Sequence, residues 1–532
     1  MSTRRPIADD LVGLLANNAA ANPAAPAFFH GGATYTWARL EDLAARAAGG
    51  LRALGVGPGD RVALWLPNVP AWPILQFACA RLGAIVVSVN TRFRAVEVAD
   101  IVHRSGATVL ACAPNFKRID FLGILAEIDP AALAHLRAVV TVGDEGAAPP
   151  AIERLRRVPF EALLGSAAMD ESHAGPAMGC NIFTTSGTTK APKFVLHRQG
   201  AVMAHNLRVA RAFGFTAPET VAFGWLPMCG VFGFNVAMSA WAAGKPLVLQ
   251  ESFDVEEAVR LIAKHRPTAL FGGDDMAERL LDAVPGERPF PSVGLYGFAN
   301  FNPALADMPA RAAARGLTMI GLYGMSEVQA LFARWNLDED PAIRALGGGR
   351  PVSPLANART RDPESGELLP PGQPGELELL GPSLMVGYYG DAEATAAAFT
   401  EDRYLRTGDL GHTTDDGGFV FLGRMGDVLR LAGFLVNPAE IEAHLQTHPS
   451  VAGAQVVGAT HVAGTRAVAF VVAENGAAID EAALIEHCRR GLANFKTPAR
   501  VVAVEAFPTT PSANGPKIQR ARLREMAARL LD

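Results

Sequence analysis

An excess of positive charge is the first feature that the sequence lacks. Its 532 residues include 48 lysines and arginines against 53 aspartates and glutamates, which gives a formal net charge of −5. Proteins that hold nucleic acid by its phosphates need a basic surface. The composition therefore argues against a nucleic-acid partner and favours chemistry on small molecules.

Cysteine and long apolar runs are also scarce. The five cysteines are odd in number, scattered and without CxxC spacing, which argues against a disulfide framework or a zinc site and predicts a reducing compartment. No run approaches the roughly 18 apolar residues of a membrane span. The N-terminal MSTRRPIADD turns acidic before any apolar signal segment begins. We therefore expect a cytoplasmic protein without an integral membrane segment.

The sequence does contain enough apolar character for large cores. Hydrophobic residues make up 49% of the chain and charged residues 19%, which predicts an ordered protein. Helix and strand patterns alternate: residues 40–54 have helical apolar spacing, and residues 61–66 (RVALWL) are typical of a buried strand. The same order recurs at 78–89, 258–271 and 311–322. Parallel sheets with crossover helices require this order, so the predicted fold class is α/β.

The pattern changes in the C-terminal third. From about 347 to 421, short apolar runs are interrupted by Pro and Gly, which predicts a β-rich subdomain. A separate small α/β unit follows. The predicted domains are therefore 1–425, which includes the β-rich segment, and 427–532.

Several conspicuous residues have ordinary structural interpretations. GVGPGD at 55–60 follows a helix, whereas a dinucleotide-binding loop follows a strand, so a turn is predicted. FGGDDM at 271–276 has Asp275 where a carrier-protein loop needs a serine, and a strand-to-helix turn is predicted there too. Four histidines without metal-ligand spacing are expected in the core or on the surface: His103, His197, His265 and His412.

A polar loop divides two apolar runs at 182–196 (IFTTSGTTKAPKFVL). Its hydroxyls and consecutive backbone N–H groups, together with the charge of Lys193, are typical of a cradle for polyphosphate. The GxxxxGK[ST] pattern of the Walker loop is missing. Taken alone, the stretch is equally compatible with a solvated turn.

Five motifs follow one another along the chain. They are TTSGTTKAPK at 184–193, YGMSE at 323–327, YLRTGDL at 404–410, GRMGDVLRLAGFLVNPAEIE at 423–442 and NGPKIQR at 514–520. This set resembles the adenylate-forming (AMP-binding) superfamily, in its acyl-CoA synthetase branch. The resemblance extends over nearly the whole chain.

The resemblance implies a two-step reaction that uses ATP, Mg²⁺ and CoA. A carboxylate attacks the α-phosphate of ATP to give acyl-AMP and pyrophosphate, and the thiol of CoA then displaces AMP. The implied fold has a large N-terminal domain of two αβ-layered subdomains and a barrel-like β-rich subdomain. A small, mobile α+β lid domain would follow, with its hinge near Gly426.

The resemblance also implies roles for single residues in catalysis and phosphate binding. Glu327 would hold Mg²⁺, Ser326 would touch the α-phosphate, and Lys517 on the lid would reach both reacting anions. These three are the predicted catalytic residues. The β- and γ-phosphates would be wrapped by Thr185, Ser186, Gly187, Thr188, Thr189 and Lys193.

The nucleoside and the thiol have their own implied contacts. Tyr323, with the adjoining Gly324, would lie against adenine. Asp409 would accept hydrogen bonds from the ribose hydroxyls, with Arg424 beside it. Gly433 would face the CoA arm.

The acid pocket is predicted from apolar residues and from two glycines that stand where relatives have larger side chains. Gly230 stands where many relatives have a histidine, and Gly324 stands where acetate-activating relatives have a tryptophan, so both directions should be open. Together with Met228, Phe234 and Phe298, they predict a medium-to-long-chain fatty acid or an aryl acid, with the fatty acid favoured.

Other residues leave alternatives open. Asp274 and Asp275 would favour a polar substituent if they faced the pocket, but the start of a helix explains them equally well. Lys190 and Phe194 replace usual glycines and predict a stiffer, more cationic phosphate loop. Besides the favoured acyl-CoA ligase, two functions remain: an adenylating enzyme that loads a separate carrier protein, for which this sequence contains no carrier domain, and a catalytically silent relative. A homodimer is compatible with the resemblance.

The role implied for Lys517 leads to a test. We expect Lys517→Ala to lower the rate of adenylation by about 10² or more, because a positioned positive charge is lost where carboxylate meets phosphate. Thioester formation from supplied acyl-AMP should largely survive. Single-turnover measurements of the two half-reactions check this, and equal losses in both steps would contradict the assignment.

Overall fold

The structure, a computed structural model, describes the greater part of the chain. The described residues are 8–114, 116–143, 155–185, 192–299, 305, 307–425, 429–431, 434–461, 464–492, 494–510 and 517–531.

The helices of the described residues are numbered in chain order. They are α1 (Leu11–Ala21), α2 (Trp37–Ala53), α3 (Ala71–Leu82), α4 (Ala95–Ser105), α5 (Phe121–Ala126), α6 (Phe160–Leu164), α7 (Gln199–Ala212), α8 (Val231–Ala242), α9 (Val255–His265), α10 (Asp274–Ala283), α11 (Met308–Ala314), α12 (Pro341–Arg344), α13 (Ala392–Ala398), α14 (Pro438–Gln446), α15 (Glu481–Gly491) and α16 (Arg520–Leu531).

The strands are numbered in the same way. They are β1 (Pro26–His30), β2 (Ala33–Thr36), β3 (Arg61–Trp65), β4 (Ile85–Ser88), β5 (Val109–Cys112), β6 (Ala138–Thr141), β7 (Arg156–Pro159), β8 (Gly179–Thr184), β9 (Phe194–Arg198), β10 (Ala222–Gly224), β11 (Leu247–Leu249), β12 (Ala269–Gly273), β13 (Leu295–Ala299), β14 (Met319–Tyr323), β15 (Ala333–Arg334), β16 (Gly348–Pro351), β17 (Asn357–Arg361), β18 (Leu368–Leu369), β19 (Gly375–Leu380), β20 (Gly387–Tyr388), β21 (Leu405–Thr413), β22 (Phe419–Arg424), β23 (Leu429–Leu431), β24 (Phe434–Val436), β25 (Val451–His461), β26 (Gly464–Ala473), β27 (Arg500–Ala503), β28 (Thr509–Thr510) and β29 (Lys517–Ile518).

Two sheets form the N-terminal part. The first has the strand order β20-β9-β8-β4-β3-β5-β6-β7, parallel from β8 to β7, with β9 and β20 added antiparallel. The second has 14 strands in the order β18-β17-β19-β21-β22-β16-β15-β14-β13-β12-β10-β11-β1-β2. It is parallel from β14 to β1 and antiparallel from β14 to β18. The predicted β-rich segment is thus the antiparallel continuation of the second sheet.

The largest hydrophobic core joins these two sheets. It contains Val62 and Leu64 of the first sheet and Tyr296 and Ile320 of the second. Helix α3 packs among them and is buried at every position, as expected for a helix that is apolar on all sides. The ends of helices follow local rules: α3 ends at Gly83, whose φ of 68° suits glycine.

The C-terminal part has a separate core around the three-stranded sheet β25-β26-β27. Side chains alternate between the faces of a strand. Val456 and Ala469 therefore pack on α14 and α15, whereas Val457 and Phe470 pack on α16. Both faces are covered, which accounts for the near-continuous apolar runs of β25 and β26.

The structure confirms the α/β fold class and the individual segments predicted from the sequence. Residues 40–54 lie almost wholly in α2, and residues 61–66 contain β3. The stretch at 55–60 is a turn, and β12 passes directly into α10 at 273–274. The five cysteines are free and buried. None of the helices formed by the described residues has the length and apolar character needed to cross a bilayer. The domain boundaries stay a prediction.

A buried ion pair holds the C-terminal part together and can be tested. Glu442 on α14 is 1% exposed, pairs with Arg520 on α16 at 3.0 Å and accepts a hydrogen bond from the N–H of Val456 at 2.8 Å. Removing one partner leaves a buried charge, so we expect Arg520→Ala to lower the free energy of unfolding by about 3 kcal/mol. The exposed pair of Arg522 with Glu525 provides the control. Urea unfolding of Arg522→Ala should be nearly unchanged, and equal shifts for both variants would contradict the argument.

Candidate active site

The YGMSE motif lies at the carboxyl end of β14. Tyr323 ends the strand, and Ser326–Val328 forms a short 3₁₀ helix that carries Glu327. Glu327 is 6% exposed, and its Oε1 accepts a hydrogen bond of 3.0 Å from the hydroxyl of Tyr388. None of the described residues donates to its Oε2. A desolvated carboxylate with one free oxygen is a suitable ligand for a divalent cation.

The chain reverses direction directly after Glu327 through a strained turn. Gln329, Ala330 and Leu331 have φ values of 66°, 48° and 43°, in the left-handed region that non-glycine residues rarely adopt. Each such residue costs on the order of 1 kcal/mol, so the surroundings must hold the turn in place. Clusters of this kind mark functional sites.

Two buried histidines hold this turn. The Nε2–H of His197 donates to the carbonyl of Ser326 at 2.8 Å, and the Nε2–H of His205 donates to the carbonyl of Ala330 at 2.9 Å. Burial lowers the pKa of each ring to about 4, so both are neutral near pH 7. The Nδ1 of His197 is buried without a hydrogen-bond partner among the described residues. His197 lies in the core, one of the two locations predicted for it, and its contact adds a role that spacing alone could not show.

Gly324 requires a correction. It is exposed, but a Cβ atom placed on it would lie 2.4 Å from the Cα of Ala330. The direction of the missing side chain is therefore filled by the turn, and the prediction that this direction is open is wrong. Glycine is needed here because the turn approaches the backbone so closely.

Tyr323 and Asp409 meet across the second sheet. The Tyr323 hydroxyl donates to Asp409 Oδ2 at 2.6 Å, and Arg424, which faces Asp409 across β21 and β22, has Nη1 2.9 Å from Oδ1. That ion pair lacks hydrogen-bond geometry, and Oδ1 is buried without a donor among the described residues. Burial raises the pKa of Asp409 to about 6, and Arg424 opposes the shift. Oδ1 thus contacts Arg424 as an ion pair and accepts no hydrogen bond among the described residues.

The ring of Tyr323 is 6% exposed and packs edge-on against Phe419, with centroids 5.0 Å apart. Its implied contact with adenine stays a prediction.

The polar loop begins and ends at a closed hairpin. The N–H of Thr185 donates to the carbonyl of Lys193 at 3.0 Å, and the N–H of Lys193 donates to Thr185 Oγ1 at 3.2 Å. The Nζ of Lys193 lies 4.4 Å from the centroid of the Tyr388 ring. The two described ends of the loop therefore stand next to the residue that contacts Glu327.

Some predicted site residues lie outside the described part of the chain. These are Ser186, Gly187, Thr188, Thr189, Lys190, Gly426 and Gly433. The backbone of Lys517 pairs with that of Thr510 in β28-β29, but its side chain is not described. Their roles stay predictions.

The predicted pocket residues lie where β13 and the start of α8 meet the core. Met228, Phe234 and Phe298 are 1%, 0% and 2% exposed and belong to the largest core. Gly230 is half-buried and precedes α8, and a Cβ atom there would meet only Pro227 O, at 3.4 Å. Space for a Cβ atom at Gly230 is present. The pocket itself stays a prediction.

The acidic pair after β12 opens a helix. Asp274 and Asp275 are the first residues of α10, and Asp274 is fully buried and accepts from the N–H of Asp275 at 3.0 Å. Acids in a first turn are favoured by the helix dipole.

Sequence reasoning missed Tyr388 and His205. Tyr388 lies in LMVGYYG, where a tyrosine within an apolar run indicates a buried hydroxyl that needs a partner. His205 lies on α7 without any motif. Neither residue is near Glu327 in sequence, so their contacts depend on the fold.

Comparisons with known proteins agree with this arrangement. The profile of the AMP-binding enzyme family matches residues 15–389, and that of the AMP-binding enzyme C-terminal domain matches residues 440–514. The chain is 34% identical over 517 residues to a 3-[(3aS,4S,7aS)-7a-methyl-1,5-dioxo-octahydro-1H-inden-4-yl]propanoyl:CoA ligase of Mycobacterium tuberculosis, covering 92% of this chain and 94% of the relative. It is 31% identical to a feruloyl-CoA synthase of Amycolatopsis sp., covering 92% and 94%.

A solved structure shows the same fold. ATP-bound MatB from Rhodopseudomonas palustris superposes with a TM-score of 0.83 at 27% identity, covering 98% of this chain and 100% of that one. The chain belongs to the AMP-binding enzyme family and is an AMP-forming acid–thiol ligase that uses ATP and CoA.

Proposed function

We propose that the acid activated by this ligase is a medium-to-long-chain fatty acid or an aryl acid, with the fatty acid favoured. The observation that carries this proposal is the apolar segment at the start of α8. Val231 and Phe232 are half-buried beside Gly230, and Phe232 packs toward Phe271 with ring centroids 6.4 Å apart. Each methylene of an acid buried on such a wall contributes about 0.8 kcal/mol.

The names of the relatives support an acid larger than acetate. Feruloyl and the substituted indenyl-propanoyl group both carry rings. At identities of 31–34%, these relatives indicate the class of acid rather than a single acid.

The nucleotide is proposed to bind at the edge formed by Tyr323 and Asp409. Support comes from Oδ1 of Asp409, which accepts no hydrogen bond from the described residues, and from Arg424 beside it. The phosphates would then extend toward the described loop ends at Thr185 and Lys193, with the intervening residues 186–189 completing the cradle.

Glu327 is the proposed ligand of Mg²⁺. Oε2 of this buried carboxylate, to which none of the described residues donates, fits a small, hard cation that is held by one carboxylate and the substrate phosphates. When bound, the ion would neutralise charge on the phosphates. Ser326 and Lys517 would act on the α-phosphate: Lys517 would offset the negative charge as carboxylate and phosphate approach.

The experiment that tests the function is pyrophosphate release with a panel of acids. The panel runs from acetate through long-chain fatty acids to aryl acids and dicarboxylates, each with and without CoA. We expect release with apolar acids, and AMP and acyl-CoA when CoA is present. Highest activity with acetate or dicarboxylates would overturn the proposed acid class, and acyl transfer to a carrier protein but not to CoA would overturn the acceptor.

The pKa of Asp409 gives a prediction for nucleotide binding. A carboxylate accepts from ribose hydroxyls in its ionised form, and with a pKa of about 6 only about one tenth is ionised at pH 5. We expect the Kd of metal-free ATP to rise by about tenfold between pH 7.5 and pH 5 through this group. Asp409→Asn should bind ATP weakly at both pH values and lose this part of the dependence.

The γ-phosphate of ATP also titrates in this pH range. Its effect is the same for the wild-type protein and for Asp409→Asn, so the difference between their calorimetric curves of Kd against pH isolates Asp409. Parallel profiles for the two proteins would show that Asp409 does not contact the nucleotide.

A substitution at Gly230 tests the acid pocket. We expect Gly230→Trp to lower kcat/KM for the longest accepted acids by about tenfold or more, and less for the shortest, because the indole would occupy the pocket. Gly230→Ala is the matched control, since a Cβ atom fits there. A uniform loss across chain length would show that Gly230 does not line the acyl site.

A further inference from the structure

We propose that Tyr388 is a positioning residue that orients both Glu327 and Lys193 for binding of the ATP–metal complex. The inference rests on the proposed function, because it assigns the phosphates to Lys193 and the metal to Glu327. Tyr388 is not part of any of the five motifs, and its contacts come from the folded chain alone.

The first contact fixes the carboxylate. The hydroxyl of Tyr388 donates to Glu327 Oε1 at 3.0 Å, while the N–H of Met385 donates to the Glu327 carbonyl at 2.8 Å. The carboxylate and the main chain of Glu327 are thus held from the same short segment. Burial, together with the charge of Glu327, raises the pKa of Tyr388, so its hydroxyl keeps the proton that it donates.

The second contact fixes the ammonium group. The Nζ of Lys193 lies 4.4 Å from the centroid of the Tyr388 ring, within the range of a cation–π interaction. The Tyr388 side chain lies between a positive and a negative group and interacts with both.

The backbone of Tyr388 is anchored independently of these contacts. Strand β20 pairs with β9 so that Tyr388 faces Val195, two residues after Lys193. The N–H of Tyr388 donates to Thr395 Oγ1 at 2.8 Å, and the N–H of Tyr389 donates to the carbonyl of Phe194 at 2.7 Å. The ring is only 8% exposed, which restricts its rotation.

Pre-orientation has a measurable consequence. A carboxylate and a lysine already held at the site lose less conformational freedom when the ligand binds. The hydroxyl should therefore act on the metal dependence of ATP binding, and the ring should act on ATP binding in the absence of metal. Two substitutions at one position separate these effects.

The experiment compares Tyr388→Phe, Tyr388→Leu and the matched control Tyr389→Phe, which removes a neighbouring hydroxyl. Isothermal calorimetry gives the Kd of ATP in EDTA, and a titration with Mg²⁺ gives the concentration for half of its effect on ATP binding. For Tyr388→Phe we expect that Mg²⁺ concentration to rise by about tenfold, with the Kd in EDTA unchanged. For Tyr388→Leu we expect the Kd in EDTA to rise by about two- to fivefold as well.

A double-mutant cycle with Lys193→Met completes the test. Tyr388→Leu should have no further effect on metal-free binding once Lys193 is removed, because the two residues then lack their interaction. If Tyr388→Leu does not fold, as judged by thermal unfolding, the comparison of Tyr388→Phe with Tyr389→Phe still tests the contact with Glu327, and an unchanged Mg²⁺ dependence in Tyr388→Phe still overturns the proposal.

The outcomes separate this inference from the proposed function. Wild-type protein that fails to bind ATP would overturn the proposed function itself. If the wild-type protein binds ATP but Tyr388→Phe and Tyr389→Phe require the same Mg²⁺ concentration, only the role proposed for Tyr388 is overturned. If Tyr388→Phe weakens ATP binding by the same factor in EDTA and in Mg²⁺, Tyr388 has a general structural role. That result would also overturn the proposal.

Discussion

The reversal of the chain after Glu327 is the constraint on which the site depends. Three successive residues adopt left-handed backbone angles, and a hydrogen bond of 2.9 Å from Phe332 N–H to the Tyr323 carbonyl closes the loop at its base. The reversal lets β15 run antiparallel to β14 and convert a parallel sheet into an antiparallel one. The antiparallel half then brings Asp409 within hydrogen-bonding distance of Tyr323. The neutral rings of His197 and His205 make this possible without introducing charge into the core.

Two carboxylates of the site are held in the same way. Asp409 and Glu327 are both nearly buried, and each accepts a hydrogen bond from a tyrosine hydroxyl. A cationic side chain lies beside each pair: Arg424 beside the carboxylate of Asp409, and Lys193 beside the ring of Tyr388. A desolvated carboxylate is costly unless donors surround it. In both cases the tyrosine donates to one carboxylate oxygen, and the other oxygen accepts no hydrogen bond from the described residues. The arrangement keeps the charge in place.

The sequence was sufficient for the features that depend on local order. Apolar periodicity located α2 and β3, and the turn chemistry located the junction of β12 with α10, because neighbouring residues determine these elements. Tyr323, Asp409 and Arg424 come from three different motifs and contact one another in the structure. The prediction of open space at Gly324 was wrong because the turn at Ala330 occupies the position that a side chain would take. Contacts between distant segments cannot be read from spacing.

The same limit explains the residues that were missed. Tyr388 meets Glu327 across 61 positions of sequence, and His205 meets Ala330 across 125. Their partners are backbone and carboxylate groups whose positions depend on the pairing of β9 with β20 and on the turn. A buried tyrosine or histidine indicates from the sequence that a partner exists. Only the fold identifies which group that partner is.

The core on both faces of β25-β26-β27 has a consequence for how such chains evolve. The apolar side chains of this unit, from Leu429 to Ala527, are buried among themselves, and the neighbouring core cluster ends at Phe421. A genetic crossover between related genes at about residue 426 would therefore separate none of these core clusters. Among the described residues, the side-chain amide of Asn437 donates to the carbonyl of Leu422 across that point. Exchange of the C-terminal segment between relatives at that point would therefore keep each of these hydrophobic clusters intact.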